Sequence, residues 1–134
     1  MNDPTARLLE KADRAIAAAE SSLRDGHVEA AASRAYYAMF YAAEALLNER
    51  GFRFRRHGGV HAAFGEHFVK TGRFDAKFHR WLLAAFSKRI TADYGVDAEL
   101  TSTEVAEMIE QAKEFLATVR DSLHNDRHGS GDAG

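Results

Sequence analysis

Ser33-Arg34-Ala35-Tyr36-Tyr37-Ala38-Met39-Phe40-Tyr41-Ala42-Ala43-Glu44-Ala45-Leu46-Leu47 decides the fold. Ala32, Ala35/Tyr36, Met39/Phe40, Ala43 and Leu46/Leu47 recur at steps of three and four residues, the period of one helix face. Arg34, Tyr37, Tyr41 and Glu44 recur at the same steps and form a second stripe. One apolar face is enough to join a core. The second stripe has two readings. It lies inside a bundle, with the hydroxyls and Arg34 bonded to neighbouring helices, or it faces a partner, a ligand or a polar groove.

The punctuation on either side extends this helix into a helical chain. One proline occurs, at position 4; alanine is abundant, and alternating β-branched runs are absent. Five helices are predicted. The first runs from about Pro4 to Arg24, with Asp3 as N-cap, and ends at Gly26. Its core face is Leu8/Leu9, Ala12, Ile16, Ala19 and Leu23. The second runs from Val28 to Arg50 and stops at Gly51. A basic loop, Arg50 to Gly59 with three glycines, follows, and a third helix covers Val60 to Lys70 before Thr71-Gly72. The fourth runs from Asp75 to Asp93, with Phe78, Trp81/Leu82, Ala85/Phe86 and Arg89/Ile90 on one stripe, and closes at Tyr94-Gly95. The fifth opens at Thr101-Ser102-Thr103-Glu104, a capping box, and carries Val105, Met108/Ile109, Ala112, Phe115/Leu116, Val119 and Leu123. Long helices with short connections predict an all-α, antiparallel bundle of four to five helices. Residues 1–124 form that single domain, and 125–134 are expected to be a disordered polar tail.

A chain of 134 residues buries a real core without disulfides. With no cysteine there is no thiolate nucleophile and no Cys-based zinc site, and a reducing, cytoplasmic setting is expected. No stretch approaches the roughly 20 apolar residues of a membrane span. Met1-Asn2-Asp3-Pro4 has neither a basic nor an apolar targeting region, so no signal peptide is expected. A net charge of -2 does not announce a nucleic-acid binder in bulk, though local patches can act.

Four constellations could carry chemistry. The first is the loop Arg50-Gly51-Phe52-Arg53-Phe54-Arg55-Arg56-His57-Gly58-Gly59. Arginine forks bind phosphate and aromatics stack on bases; equally, it is a solvated loop anchored by its phenylalanines. The second is His57 with His61, at metal-ligand spacing, with Glu66 or His67 nearby. A Glu-x-x-His motif of the di-iron type is absent, and no metal or other cofactor is expected. The third is Arg89-Ile90-Thr91-Ala92-Asp93-Tyr94, where Arg89 and Asp93 sit one turn apart. They form an intrahelical ion pair or aim an arginine and a polar partner into a groove. The fourth is Arg56 followed by His61: a histidine can move the 2′-hydroxyl proton of RNA while an arginine stabilises phosphorane-like charge.

Ser33-Arg34-x-Tyr36-Tyr37-Ala38-x-Phe40, His57-x-Gly59, Phe64-x-x-x-Phe68-Val69-Lys70-Thr71-Gly72 and Arg89-x-x-Ala92-Asp93-Tyr94 together resemble the HEPN domain, in its small single-domain prokaryotic branch. The resemblance spans about residues 5 to 122. It implies a homodimeric bundle, a nucleotidyltransferase partner, and in many cases a toxin–antitoxin module with HEPN as a metal-independent ribonuclease. The family's cleavage motif is an arginine, a polar residue, a few more residues and a histidine. Arg89 matches the arginine, while Asp93 and Tyr94 stand where the histidine belongs. Catalytic roles therefore fall to Arg89, with His57 or Asp93 handling protons, or to a displaced Arg56 and His61. Arg34, Tyr37, Tyr41, Arg53, Arg55 and Arg56 would hold substrate or phosphate. Tyr94 corresponds to a tyrosine that the partner enzyme modifies in some relatives. Two functions follow: an RNA-cleaving toxin, or a non-catalytic module that binds a nucleotide or a protein partner.

Overall fold

The computed structural model describes residues 1–54, 56–94 and 100–133, with side chains at 1–54, 56–93 and 100–125. Among these it contains helices and no strand: α1 (Asp3–Arg24), α2 (Val28–Glu49), α3 (His57–Phe64), a π-helical continuation (Gly65–Val69), α4 (Ala76–Tyr94) and α5 (Ser102–Ala133). The all-α bundle read from the sequence is the observed fold. Backbone helix in α5 includes residues 125–133, set aside above as a polar tail.

The termini of α1 and α2 follow from local chemistry. The N-cap of α1 is Asn2 rather than Asp3: its side chain accepts from the Thr5 N–H at 2.9 Å, which places Asp3 in the first turn. Two asparagine-like residues precede Pro4, and either could cap by type alone. Gly26 and Gly51 have φ of 82° and 88°, where a side chain would be strained. Each closes a paired C-terminal turn. His27 N–H bonds to Ser22 C=O at 2.8 Å, and Phe52 N–H to Leu47 C=O at 3.0 Å. At α5 the capping box is present: Thr101 N–H donates to Glu104, and Glu104 N–H to the Thr101 hydroxyl, both at 3.1 Å.

Helix α2 is the central element and touches α1, α3, α4 and α5. That explains its composition. Ala31, Ala35, Ala38, Ala42 and Ala45 are fully buried on several sides, and small side chains let the other backbones approach. Phe64, Phe68, Phe115, Leu46, Leu47 and Leu82 fill the remaining volume, each contributing roughly 1.5–3 kcal/mol by burial. Arg120 grips Asp13 with two hydrogen bonds, at 2.5 and 2.9 Å, which ties α5 to α1 and lowers the Asp13 carboxyl pKa.

Helix α3 begins at His57, three residues before the expected start at Val60, so Gly58 and Gly59 are helical instead of part of the loop. Packing is the reason: a Cβ on Gly59 would stand 2.9 Å from Phe54 Cδ1, so the ring lies directly on the glycine. This earlier start brings His57 and His61 onto one face of α3.

Candidate functional site

The site forms where α2, α3 and α4 meet. Tyr36, on α2, is fully buried. Its hydroxyl lies 2.8 Å from His61 Nε2 and 3.2 Å from His57 Nδ1. A phenol has one proton, so it donates to one imidazole and accepts from the other. If Tyr36 donates to His61, His57 Nδ1–H donates to Tyr36 and His57 Nε2 carries a free lone pair. The reverse arrangement leaves His57 Nε2–H as a hydrogen-bond donor. The four-residue spacing thus places both imidazoles on a shared tyrosine. Among the described residues no group of three or more His, Cys, Asp or Glu could hold a metal ion.

Aromatic rings fix the imidazoles. His57 packs 4.5 Å from Phe40, and His61 packs 4.9 Å from Phe86. Burial lowers the His57 pKa, and the Arg89 charge lowers it further. His61 is pushed down to about 4, chiefly by burial, with His57 and His79 adding repulsion. Both rings are therefore neutral near pH 7. Burial raises the Tyr36 pKa, which keeps its proton on oxygen.

Arg89 enters from α4. Its guanidinium carbon is 5.2 Å from the Tyr37 ring centroid and 6.0 Å from that of Tyr36. Cation–π contact holds it there. Arg89 Nε is 3.4 Å from Asp93 Oδ2, an ion pair. That buried nitrogen makes no hydrogen bond among the described residues, so the pair is electrostatic in character. Arg89 and His57 share the same two tyrosines, since His57 lies 5.6 Å edge-on to Tyr37.

The remaining sequence-derived candidates separate into other places. Arg34 and Tyr41 line a groove against α1. Arg53 Nη1 donates to Asn48 Oδ1. Asn48 is buried and donates to Asn2 at 2.9 Å and to Thr5 at 3.0 Å, so Arg53 belongs to a network joining α1 to α2. Arg56 is exposed at the N-cap of α3. Arg55 and the Tyr94 side chain lie outside the described residues. Sequence reasoning missed Tyr36, which it left on the apolar face. The available signal was that a core tyrosine needs a hydrogen-bond partner, and two histidines at helical spacing offer one.

A helical bundle whose central helix carries the Ser-Arg-x-Tyr-Tyr block, with an arginine from the fourth helix brought against it, matches one family along nearly its whole length. The sequence pattern of the HEPN domain covers residues 5–122. The chain belongs to the HEPN domain family. A protein of Thermotoga maritima named "UPF0332 protein" is 37% identical over 97 residues, covering 72% of this chain and 74% of that protein. "Putative toxin MJ0142" of Methanocaldococcus jannaschii is 32% identical over 110 residues, covering 82% of this chain and 75% of its own. "Putative toxin MJ0605" of the same organism is 31% identical over 116 residues, with 87% and 86% covered.

Proposed function

We propose that this chain is a cytoplasmic, toxin-like HEPN protein that cleaves RNA without a metal ion, acts as a homodimer, and is paired with a nucleotidyltransferase. The observation that carries this reading is the meeting of Arg89 and His57 over Tyr36 and Tyr37. It joins a phosphate-binding cation to a neutral imidazole, the two parts that metal-free RNA cleavage needs. The toxin names of two relatives agree with it. Leu83 and Ile90, exposed on the same helix as Arg89, offer apolar surface for a second copy.

In the proposed reaction His57 Nε2 takes the proton of a ribose 2′-hydroxyl. The 2′-oxygen attacks phosphorus, the bond to the 5′-oxygen breaks, and the proton returns to that oxygen. The products are a 2′,3′-cyclic phosphate and a 5′-hydroxyl. Arg89 stabilises the charge that builds on the phosphoryl oxygens, and Asp93 orients Arg89. Tyr36 and His61 hold the His57 ring.

A second reading rests on the family resemblance, by which Asp93 and Tyr94 stand where the cleavage motif's histidine belongs. It makes the chain a non-catalytic module that binds a nucleotide or its partner through Arg34, Tyr37 and Tyr41. One assay separates the two: a mixed RNA pool, in buffer containing a chelator, with wild type, Arg89→Ala and His57→Ala. The ribonuclease reading requires cleavage by wild type alone. Absence of cleavage in all three selects the binding module.

A further inference from the structure

Helix α1 contributes cations to a surface that the sequence blocks do not include. A groove of about 260 Å³ between α1 and α2 is lined by Lys11, Arg14, Ala15, Ala18, Arg34 and Tyr41. Alanines form its floor and leave room above them. Lys11, Arg14 and Arg34 are exposed, and none forms an ion pair with a carboxylate among the described residues. Elsewhere on this surface cations are matched: Arg120 with Asp13, Lys113 with Glu20, and Lys77 with Glu114. The acid that acts on Lys11 is Glu44; it is half-buried, and burial raises its pKa, which weakens its hold on the groove's positive charge.

A run of ring contacts links the groove to the site described above. Lys11 Nζ lies 5.5 Å from the Tyr41 ring, Tyr41 lies 5.8 Å from Tyr37, and Tyr37 lies 5.2 Å from the Arg89 guanidinium. Cations at both ends with tyrosine rings between them form the arrangement that suits a single strand, in which phosphates meet cations and bases meet aromatic faces.

We propose that Lys11, Arg14 and Arg34 bind the phosphates of single-stranded RNA and lead the strand over Tyr41 and Tyr37 to Arg89. This rests on RNA being the ligand of the Arg89 site, and it adds α1 as the element that sets how much of the strand is held.

The test is fluorescence anisotropy with the full chain and a labelled single-stranded RNA carrying 2′-O-methyl groups, which cannot be cleaved through the 2′-oxygen. Affinity is measured across a salt series for wild type, Lys11→Gln/Arg14→Gln and Arg34→Gln. A double variant of equal charge elsewhere, Arg24→Gln/Lys70→Gln, is the control. Each single-strand phosphate contact contributes about 0.7 to the slope of log affinity against log salt. The α1 double variant should lower that slope by about 1.4, and Arg34→Gln by about 0.7, with the affinity of the double variant reduced about tenfold at low salt. The control should match wild type. Equal slopes in wild type and the groove variants overturn the proposal, as does failure of wild type to bind RNA. Because the probe resists cleavage, a protein that binds through the groove but cleaves nothing would refute the ribonuclease reading alone. One that cleaves natural RNA with unchanged slopes would refute the groove alone.

Discussion

Tyr36 Oη lies 2.8 Å from His61 Nε2, in a contact where both side chains are almost fully buried. Neither group has water to replace the other. Tyr36→Phe keeps the ring and removes only the oxygen, leaving His61 without its partner. The expected loss of stability is about 1–3 kcal/mol, the cost of a buried polar group left unpaired. Urea unfolding should show a lower midpoint at unchanged slope. An unchanged midpoint would mean that the hydroxyl contact contributes nothing.

The same burial makes the fold sensitive to acid. His61 titrates at about 4 in the folded chain against an ordinary 6.5. Between those values the unfolded chain binds more protons, so stability rises with pH in that window. It is fully present above about pH 6.5 and lost progressively as pH falls toward 4; the lowered His57 pKa acts in the same direction. Wild type should lose on the order of 2 kcal/mol between pH 7 and pH 5. His61→Leu should show a flatter profile over that range, even if it is less stable throughout. Denaturant midpoints at several pH values provide the check.

Arg53 and Arg56 look alike in the sequence and differ in the fold. Arg53 donates to buried Asn48, which in turn holds Asn2 and Thr5. Arg56 is exposed. Arg53→Ala is expected to cost about 1 kcal/mol through the lost hydrogen bond, whereas Arg56→Ala should leave stability within about 0.5 kcal/mol. Thermal melting of the two variants decides it. Equal melting temperatures would show that the Asn48 bond adds no net stability.

Legibility in the sequence followed the range of the interactions. Gly26, Gly51 and the Thr101–Glu104 box act within one turn of backbone, and each marks a helix end in the sequence and in the fold. The start of α3 was hidden because it depends on Phe54 lying against Gly59, which composition reads as loop. The π turn at Gly65–Val69 has no local signature either. There the Lys70 N–H reaches back to Gly65 C=O at 2.8 Å, while His79 presses on Gly65 from α4. For the site, Arg89, His57 and Tyr37 were each visible by residue type, but their meeting was not. Tyr36 was assigned to the core by periodicity, and it is in the core; its polar role appears only when α3 is placed beside it. Lys11 and Arg14 carry no motif and gain meaning only from Arg34 across the groove.

Arg89 and His57 are coupled through charge, and that coupling can be read without any assay of activity. Burial is the main cause of the lowered His57 pKa, and the Arg89 guanidinium is the second. Removing a positive charge makes the imidazolium easier to form. Arg89→Ala should therefore raise the His57 pKa, while Arg89→Lys, which keeps the charge, should leave it closer to the wild-type value. Proton NMR of the imidazole across a pH series measures both. If cleavage is observed, Arg89→Lys should still lose about a hundredfold in rate, because an ammonium lacks the planar fork that grips a phosphoryl group. Asp93→Asn should lose only a few-fold, since Asp93 is a partly exposed ion-pair partner whose contribution water screens. A His57 pKa unmoved by Arg89→Ala would place the guanidinium too far from the imidazole to share one phosphate with it, and the proposed division of roles would fail.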